Sequence, residues 1–311
     1  MNFVVHAFSI ILFVEFVFST PRYQETPILQ KFLLEIGAQE SYTMNNLCGV
    51  RNKNPLFSMN ILKEHVKESE FDQFPWQGAL LTKDKLDNWI TACGASVFGS
   101  QWIITAAVCV EEFEPEDILV RVGDKNLINL NKPSLHIDAM VEGITILDNL
   151  MDPMNNVAIL KLSKPLDMHY DHVNSICLPN PTHDFSGQHC IVTGWSMGRA
   201  PQYDLTGHLK KDVQIVLSHK QCIKVINNHK MSSVFDLSGS SGSICAIGLG
   251  DIGSCIVDAG GPLACRDPST GRYILTGVAT WALSCISSTL PDVYADVRAF
   301  VPLIQKVMTD I

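Results

Sequence analysis

The chain has 311 residues, of which 46% are hydrophobic and 18% charged, and its formal net charge is −9 at pH 7. This composition is that of a globular protein and excludes a disordered chain. The acidic balance argues against a nucleic-acid partner, because a polyanion is bound through basic surface.

Residues 1–19 are predicted to be a secretory signal peptide. Residues 3–18 are apolar except at His6, Ser9 and Glu15, and small residues follow them. An apolar segment this short is typical of a signal peptide rather than of a membrane span, although a buried N-terminal helix is the alternative. No later segment is long and apolar enough to span a bilayer. We therefore expect a secreted, extracellular protein.

Residues 20–60 show no clear core pattern and are predicted to form an N-terminal arm or propeptide-like segment. Within them, residues 28–36 follow Pro27 and could form a short helix. From about Phe74, short apolar runs rich in β-branched residues recur between turn residues, which is typical of a β-barrel or sandwich. These runs are residues 78–81, 102–105, 118–122, 157–160, 190–193, 213–217 and 274–279.

The last predicted element is a C-terminal helix. Apolar residues there follow an i, i+3, i+4, i+7, i+11 spacing, which places them on one face of a helix. They are Val297, Phe300, Val301, Ile304 and Met308.

Ten cysteines, an even number, are typical of a disulfide framework in a secreted chain. No Cys-x-x-Cys pair occurs, which argues against a zinc ribbon or a thioredoxin-like redox site. Spacing alone leaves the connectivity open.

Seven motifs in order make residues 61–311 resemble the chymotrypsin/trypsin-like serine proteases. The motifs are FPWQ at 74–77, TAAVC at 105–109, NNVAIL at 155–160, ICLP at 176–179, TGW at 193–195, DAGGPL at 258–263 and PDVY at 291–294. The resemblance implies an all-β fold of two packed six-stranded antiparallel β-barrels, at about 61–170 and 171–290, with a C-terminal α-helix.

A narrower resemblance is to the arthropod clip-domain protease homologues. It rests on residues 48–52 and 71–76, which resemble the linker and the start of the barrel, and on residues 184–190 and 294–297. Residues 20–47 are too short for a clip domain and contain no cysteine. The clip domain is therefore not expected here.

The resemblance places the three catalytic residues at positions where this chain has none of them. The histidine would stand at Val108, the aspartate at Asn156 and the serine at Ala259. Valine cannot act as the general base that activates a serine nucleophile, and alanine cannot be that nucleophile. Val257 takes the place of a glycine whose N–H serves the oxyanion hole, and a β-branched residue disfavours positive φ. We expect no catalysis.

The primary specificity pocket of the family would be formed here by Gly253, Ser254, Trp281, Ala282 and Asp292. Trypsin-like members carry an aspartate at the position of Gly253, so the carboxylate that binds a basic substrate side chain is missing. Side chains at Ala282 and Asp292 would narrow the pocket. Asp292 could bind a basic side chain from the opposite wall, but we favour a turn-stabilising role after Pro291.

Activation is also predicted to be lost, because no basic residue precedes Ile61, where family zymogens are cut. The aspartate that pairs with the new N-terminus is retained as Asp258. Because a buried carboxylate needs a partner, we expect Asp258 to find another donor or to stay near solvent.

The resemblance pairs all ten cysteines, as Cys48–Cys177, Cys93–Cys109, Cys190–Cys265, Cys222–Cys245 and Cys255–Cys285. Two histidines, His169 and His172, have metal-ligand spacing but no evident third ligand, so no metal or cofactor is expected. The Ser/Gly run at 239–243 is interpreted as a loop. The acidic run at 111–117 is interpreted as a solvated loop, with a docking patch for a basic partner as the alternative.

These features predict a secreted, non-catalytic protease homologue that acts by binding extracellular proteins, such as serine proteases, zymogens or prophenoloxidase. In arthropods the resemblance implies cofactors or inhibitors of extracellular cascades, notably melanisation in innate immunity; venom and reproductive-fluid roles are also compatible. The alternatives are an adhesive extracellular module and a hydrolase with relocated catalytic residues, since fold alone does not decide function.

Overall fold

A computed structural model of the chain describes residues 48–51, 67–68, 73–127, 135–147, 157–195, 207–229, 231, 242–249 and 258–310. All of them belong to one compact unit, Leu47–Ile311. The predicted signal peptide, the predicted helix at 28–36 and most of the N-terminal arm lie outside the described residues.

The first barrel is a closed sheet of six antiparallel strands in the order β2-β3-β4-β7-β6-β5. The strands are β2 (Gln77–Lys83), β3 (Trp89–Phe98), β4 (Trp102–Ala106), β5 (Ile118–Val122), β6 (Ile137–Leu147) and β7 (Val157–Leu162). In β4 both Ile103 and Ile104 are fully buried, although they point to opposite faces. One face of β4 therefore fills the barrel, and the other is covered from outside.

The second barrel also has six antiparallel strands, in the order β9-β10-β13-β12-β11-β8, and pairing of β8 with β9 closes it. The strands are β8 (His189–Gly194), β9 (Lys210–Leu217), β10 (Ser243–Gly248), β11 (Pro262–Arg266), β12 (Tyr273–Trp281) and β13 (Asp292–Asp296). The prediction of two six-stranded barrels is confirmed.

A two-residue strand, β1 (Lys67–Glu68), pairs with β9. It falls within the range expected for the first barrel, yet it adds to the sheet of the second. The last strand, β13, ends beyond residue 290, where the second barrel was expected to end.

Two α-helices complete the described fold. The predicted C-terminal helix is α2 (Val297–Asp310), and its face of Val297, Phe300 and Ile304 is buried against the core. The other helix, α1 (His219–Asn228), connects β9 to β10 and was not predicted. Within the described residues, neither helix is long and apolar enough to cross a membrane.

The segment at 48–51 is fastened to the body by more than its disulfide. Gly49 donates its N–H to the carbonyl of Ser175 at 2.7 Å, and its own carbonyl accepts from the N–H of Tyr273 at 2.8 Å. Arg51 donates to the Tyr273 hydroxyl at 3.0 Å. Residues 48–51 are therefore anchored on the body through both backbone and side-chain contacts.

Candidate functional site

The region expected to hold the catalytic histidine is a short 3₁₀-helix, Ala107–Cys109, directly after β4. Its outer residues, Ala107 and Cys109, are buried, and Cys109 is bonded to Cys93 of β3. Val108, between them, points outward and is 62% exposed. The local frame thus presents a side chain to solvent, and that side chain is an alkyl group.

Ala259, expected at the serine position, contacts the first barrel at strand β3. Its carbonyl accepts a hydrogen bond from the N–H of Gly94 in β3 at 2.8 Å. The next residue, Gly260, has φ +79° and packs so closely that an added Cβ would overlap the Thr105 hydroxyl and the Gly94 carbonyl. The turn carrying Ala259 is therefore packed against the middle of β3 and the end of β4, and β4 leads into the 3₁₀-helix of Val108.

The turn carrying Ala259 contacts Gly94, Thr105 and Ala106 of the first barrel, and the last two lie in the segment that leads to Val108. Neither the side chain of Val108 nor that of Ala259 can accept a proton or attack a carbonyl carbon. Asn156 and Val257, the expected aspartate and oxyanion positions, lie outside the described residues.

Asp258 has a backbone donor. Its carboxylate Oδ2 accepts the N–H of Trp195 at 2.6 Å, and its carbonyl accepts the N–H of Gly261 at 2.9 Å. A charge-assisted bond of this kind stabilises a partly buried carboxylate. The Trp195 N–H is therefore an alternative donor of the kind expected for Asp258 when no new N-terminus pairs with it.

Asp292 is 1% exposed and its carboxylate is bonded inside the second barrel. It accepts hydrogen bonds from Gln214 Nε2 at 2.7 Å and from the Ser284 N–H and hydroxyl at 2.9 and 3.0 Å. These bonds tie β13 to β9 and to the 3₁₀-helix Leu283–Cys285. Asp292 is thus a buried acceptor that links these elements, and its place in the specificity pocket stays a prediction.

The same network continues to Tyr294. Its hydroxyl donates to Gln214 Oε1 at 2.7 Å. Burial raises the pKa of Tyr294 well above its ordinary value, and the negative charges of Asp292 and Asp212 raise it further. Motif comparison missed Gln214, Ser284 and Tyr294 as a group. One feature of the sequence could have indicated this network. Gln214 is a polar residue inside the predicted strand at 213–217, and a buried polar side chain needs a hydrogen-bond partner.

Of the other expected pocket residues, Trp281 and Ala282 are among the described residues. Trp281 ends β12 and is 45% exposed, and Ala282 after it is half-buried. The next residue, Leu283, is buried in a core cluster that includes Leu290 and Val293. Gly253 and Ser254 lie outside the described residues, so the shape of the pocket base stays a prediction.

The structure contains four of the disulfides that the resemblance implies: Cys48–Cys177, Cys93–Cys109, Cys190–Cys265 and Cys222–Cys245. Cys285 is also disulfide-bonded, and its expected partner, Cys255, lies outside the described residues. The bridges lie within each barrel and between the arm and the second barrel.

The weaker candidates have the following surroundings. His169 contacts Asp167, and His172 is buried with Nε2 donating to the carbonyl of Leu135 at 2.8 Å. The part of the chain that the structure describes has no cluster of three metal-ligating side chains. Of the Ser/Gly run, Ser243 begins β10. The acidic run at 111–117 leads from the 3₁₀-helix of Val108 to β5.

Comparison with known proteins agrees with this architecture. The trypsin family model matches residues 65–304. Transmembrane protease serine 9 of Rattus norvegicus is 30% identical over 230 residues, which cover 72% of this chain and 20% of that protein. Inactive CLIP domain-containing serine protease A28 of Anopheles gambiae is 27% identical over 270 residues, 86% of this chain and 69% of that protein.

Protein masquerade of Drosophila melanogaster is 31% identical over 250 residues, which cover 78% of this chain and 23% of that protein. The chain thus spans less than a quarter of the length of two of these relatives. On the family match and the barrel architecture together, the chain belongs to the trypsin family.

Proposed function

We propose that the chain is a secreted, non-catalytic serine protease homologue that binds and regulates components of an extracellular proteolytic cascade, such as prophenoloxidase activation. The observation that supports this most directly is the pair Val108 and Ala259, which stand where the histidine and the serine are expected. The main chain around both residues is held in place by a disulfide and by hydrogen bonds, while both side chains lack any group able to transfer a proton.

The size of the expected loss makes residual proteolysis negligible. Removing the serine, histidine and aspartate from a working protease lowers turnover by roughly 10⁶-fold, and the remainder comes from the oxyanion hole and substrate binding. Val257 puts an oxyanion donor in doubt, worth roughly 2.7–4 kcal/mol more. The relative in Anopheles gambiae is itself named inactive.

Secretion is supported by the apolar N-terminus and by the disulfides among the described residues, since disulfides persist in oxidising compartments. N-terminal sequencing of the protein from the medium of expressing insect cells tests both this and activation. We expect a start near residue 20. A start at Ile61 would show that the arm is cleaved at the family's activation position.

The catalytic half of the proposal is tested with a fluorophosphonate probe and a mixed peptide library, with trypsin as the positive control. We expect neither labelling nor cleavage. A serine that is labelled in the folded protein but not after denaturation would revive the relocated hydrolase.

The regulatory half is tested by adding the purified protein to prophenoloxidase and its activating protease. The matched control is a trypsin whose catalytic serine has been changed to alanine, because it has the same fold and no activity. We expect the rate of prophenoloxidase cleavage or the phenoloxidase activity to change with dose, and the control to have no effect. Binding only to matrix or cell-surface preparations would favour the adhesive module instead.

A further inference from the structure

The side chain of Arg51 lies against two aromatic rings from different parts of the chain. Its guanidinium carbon is 4.9 Å from the centre of the Phe74 ring and 5.4 Å from that of the Tyr273 ring. A cation at this distance over a ring face is attracted by the quadrupole of the ring, more strongly where water is excluded. Both rings are buried and Arg51 is half-buried. The chain thus holds one of its own cations on aromatic surface.

Two oxygen atoms give the same place directional acceptors. Arg51 Nε donates to the carbonyl of Gln73 at 3.0 Å, and Nη1 donates to the Tyr273 hydroxyl at 3.0 Å. A guanidinium carries its N–H donors in a rigid plane, so it can reach both acceptors while its faces lie on the rings. An ammonium is a point charge without such a plane. The site therefore fits a guanidinium better than it fits an ammonium.

The walls of this site come from both barrels. Gln73 and Phe74 lead into β2 of the first barrel, and Tyr273 begins β12 of the second. Trp76 is fully buried and contacts both rings, with its ring centre 6.2 Å from that of Phe74 and 5.2 Å from that of Tyr273. Arg51 therefore closes an aromatic cluster that joins the two barrels.

The backbone beside Arg51 docks at the same place. The Gly49 carbonyl accepts the N–H of Tyr273 at 2.8 Å, and Asn174 Nδ2 donates to the carbonyl of Val50 at 3.3 Å. Gly49 has φ +68°, and an added Cβ there would overlap the backbone of Tyr273. These contacts are separate from the Cys48–Cys177 bridge, so the segment 48–51 has a noncovalent attachment as well as a covalent one.

We propose that Gln73, Phe74 and Tyr273 form a guanidinium-binding site, and that Arg51 occupies it as a lock that keeps the segment 48–51 docked without the disulfide. A dithiol that reduces the Cys48–Cys177 bridge to two thiols then leaves the segment in place. The segment stays part of the body because its cation, its backbone and the two barrels meet at one cluster. This inference is independent of the proposed function.

Amide hydrogen exchange in a variant without the bridge, Cys48→Ser/Cys177→Ser, tests the lock. The reporters are the amides of Gly49 and Tyr273, because each donates a hydrogen bond that exists only while the segment is docked. We expect both amides to stay protected in this variant. Adding Arg51→Ala should speed their exchange by at least about tenfold, since a charge-assisted hydrogen bond and a cation–π contact are lost together.

The matched control adds Lys85→Ala to the same background. It also removes one positive charge, but at an exposed position, and should leave both exchange rates unchanged. The lock is overturned if the two amides lose protection when the bridge alone is removed from a protein that keeps its circular dichroism. It is equally overturned if they stay protected after Arg51→Ala.

A second measurement keeps every cysteine and tests the site itself. Arg51→Ala in the otherwise unmodified protein leaves the aromatic walls and both acceptors in place, and should speed exchange at the Tyr273 amide. Added ethylguanidinium, far below denaturing concentrations, should slow this exchange again in a dose-dependent way, whereas ethylammonium should not. Equal effects of the two cations, or no effect of ethylguanidinium, would contradict a guanidinium site. This result decides the proposal where the serine variants fail to fold.

Discussion

Asp292 shows how a position expected in the family's binding pocket can become part of a core. Its carboxylate accepts three hydrogen bonds, from Gln214 and Ser284, while it is 1% exposed. Asp292→Ala would leave these buried donors without an acceptor, which costs about 3 kcal/mol of unfolding free energy. Chemical denaturation measures the loss. Asp171→Ala, at an exposed position, should change stability by less than about 0.5 kcal/mol; equal effects would contradict the role of Asp292.

Tyr294 gives the network a pH dependence. Its folded pKa is raised by burial and by Asp292 and Asp212, whereas the unfolded pKa is about 10. The folded state therefore keeps a proton that the unfolded state loses. This stabilisation is complete below about pH 10 and declines as the pH rises toward the folded pKa.

Tyr294→Phe should lower stability at neutral pH by about 1–3 kcal/mol, because the Gln214 oxygen loses its donor. Above about pH 10 the stability of the variant should fall less steeply than that of the unmodified protein. Denaturation at several pH values compares the two slopes. Parallel slopes would show that the phenol does not carry the alkaline dependence.

At the scale of single elements, α1 depends on its first turn. Ser218 accepts the Gln221 N–H and Gln221 in return accepts the Ser218 N–H at 2.9 Å. Ser218→Ala should destabilise the protein by about 1 kcal/mol and speed amide exchange in the first turn. Ser163→Ala, at an exposed site outside any helix, serves as the control. Unchanged exchange at the amide of Gln221 would rule out the cap.

The elements that sequence could predict are those with continuous apolar character. All seven apolar runs fall inside strands, because both faces of those strands are largely buried. Six strands, β1, β3, β6, β10, β11 and β13, lie outside those runs. In β3 and β6 the run is absent because many side chains are half-buried or exposed. Helix α1 was missed although Ser218 and Gln221 have the spacing of a capping box.

In the candidate site, too, some residues could be predicted from the sequence and others could not. Val108 and Ala259 could be located from local motifs, whose order and spacing survive in the sequence. The partners of Asp292 could not, because Gln214 lies 78 residues away and meets it only through closure of the second barrel. Long-range side-chain pairing follows from topology, which local patterns do not encode.

For the whole molecule, Gly260 makes the junction between the barrels sterically constrained. Gly260 has φ +79°, its N–H donates to the carbonyl of Ala279 at 2.8 Å, and a Cβ there would overlap Thr105 and Gly94 of the first barrel. Gly187 has a similar φ of +78°, yet a Cβ there would meet no atom within 4 Å. The two glycines thus share a left-handed backbone conformation and differ in the space around them.

Gly187→Ala should therefore cost only the strain of a left-handed residue, about 1–2 kcal/mol. Gly260→Ala adds overlap with fixed backbone, so the turn at Ala259 must separate from β3 and β4, and we expect a loss several kcal/mol larger. Denaturation followed by tryptophan fluorescence and by circular dichroism measures both variants. If Gly260→Ala unfolds the barrels in separate transitions, the junction also couples them; if it matches Gly187→Ala, the barrels are not held together at this turn.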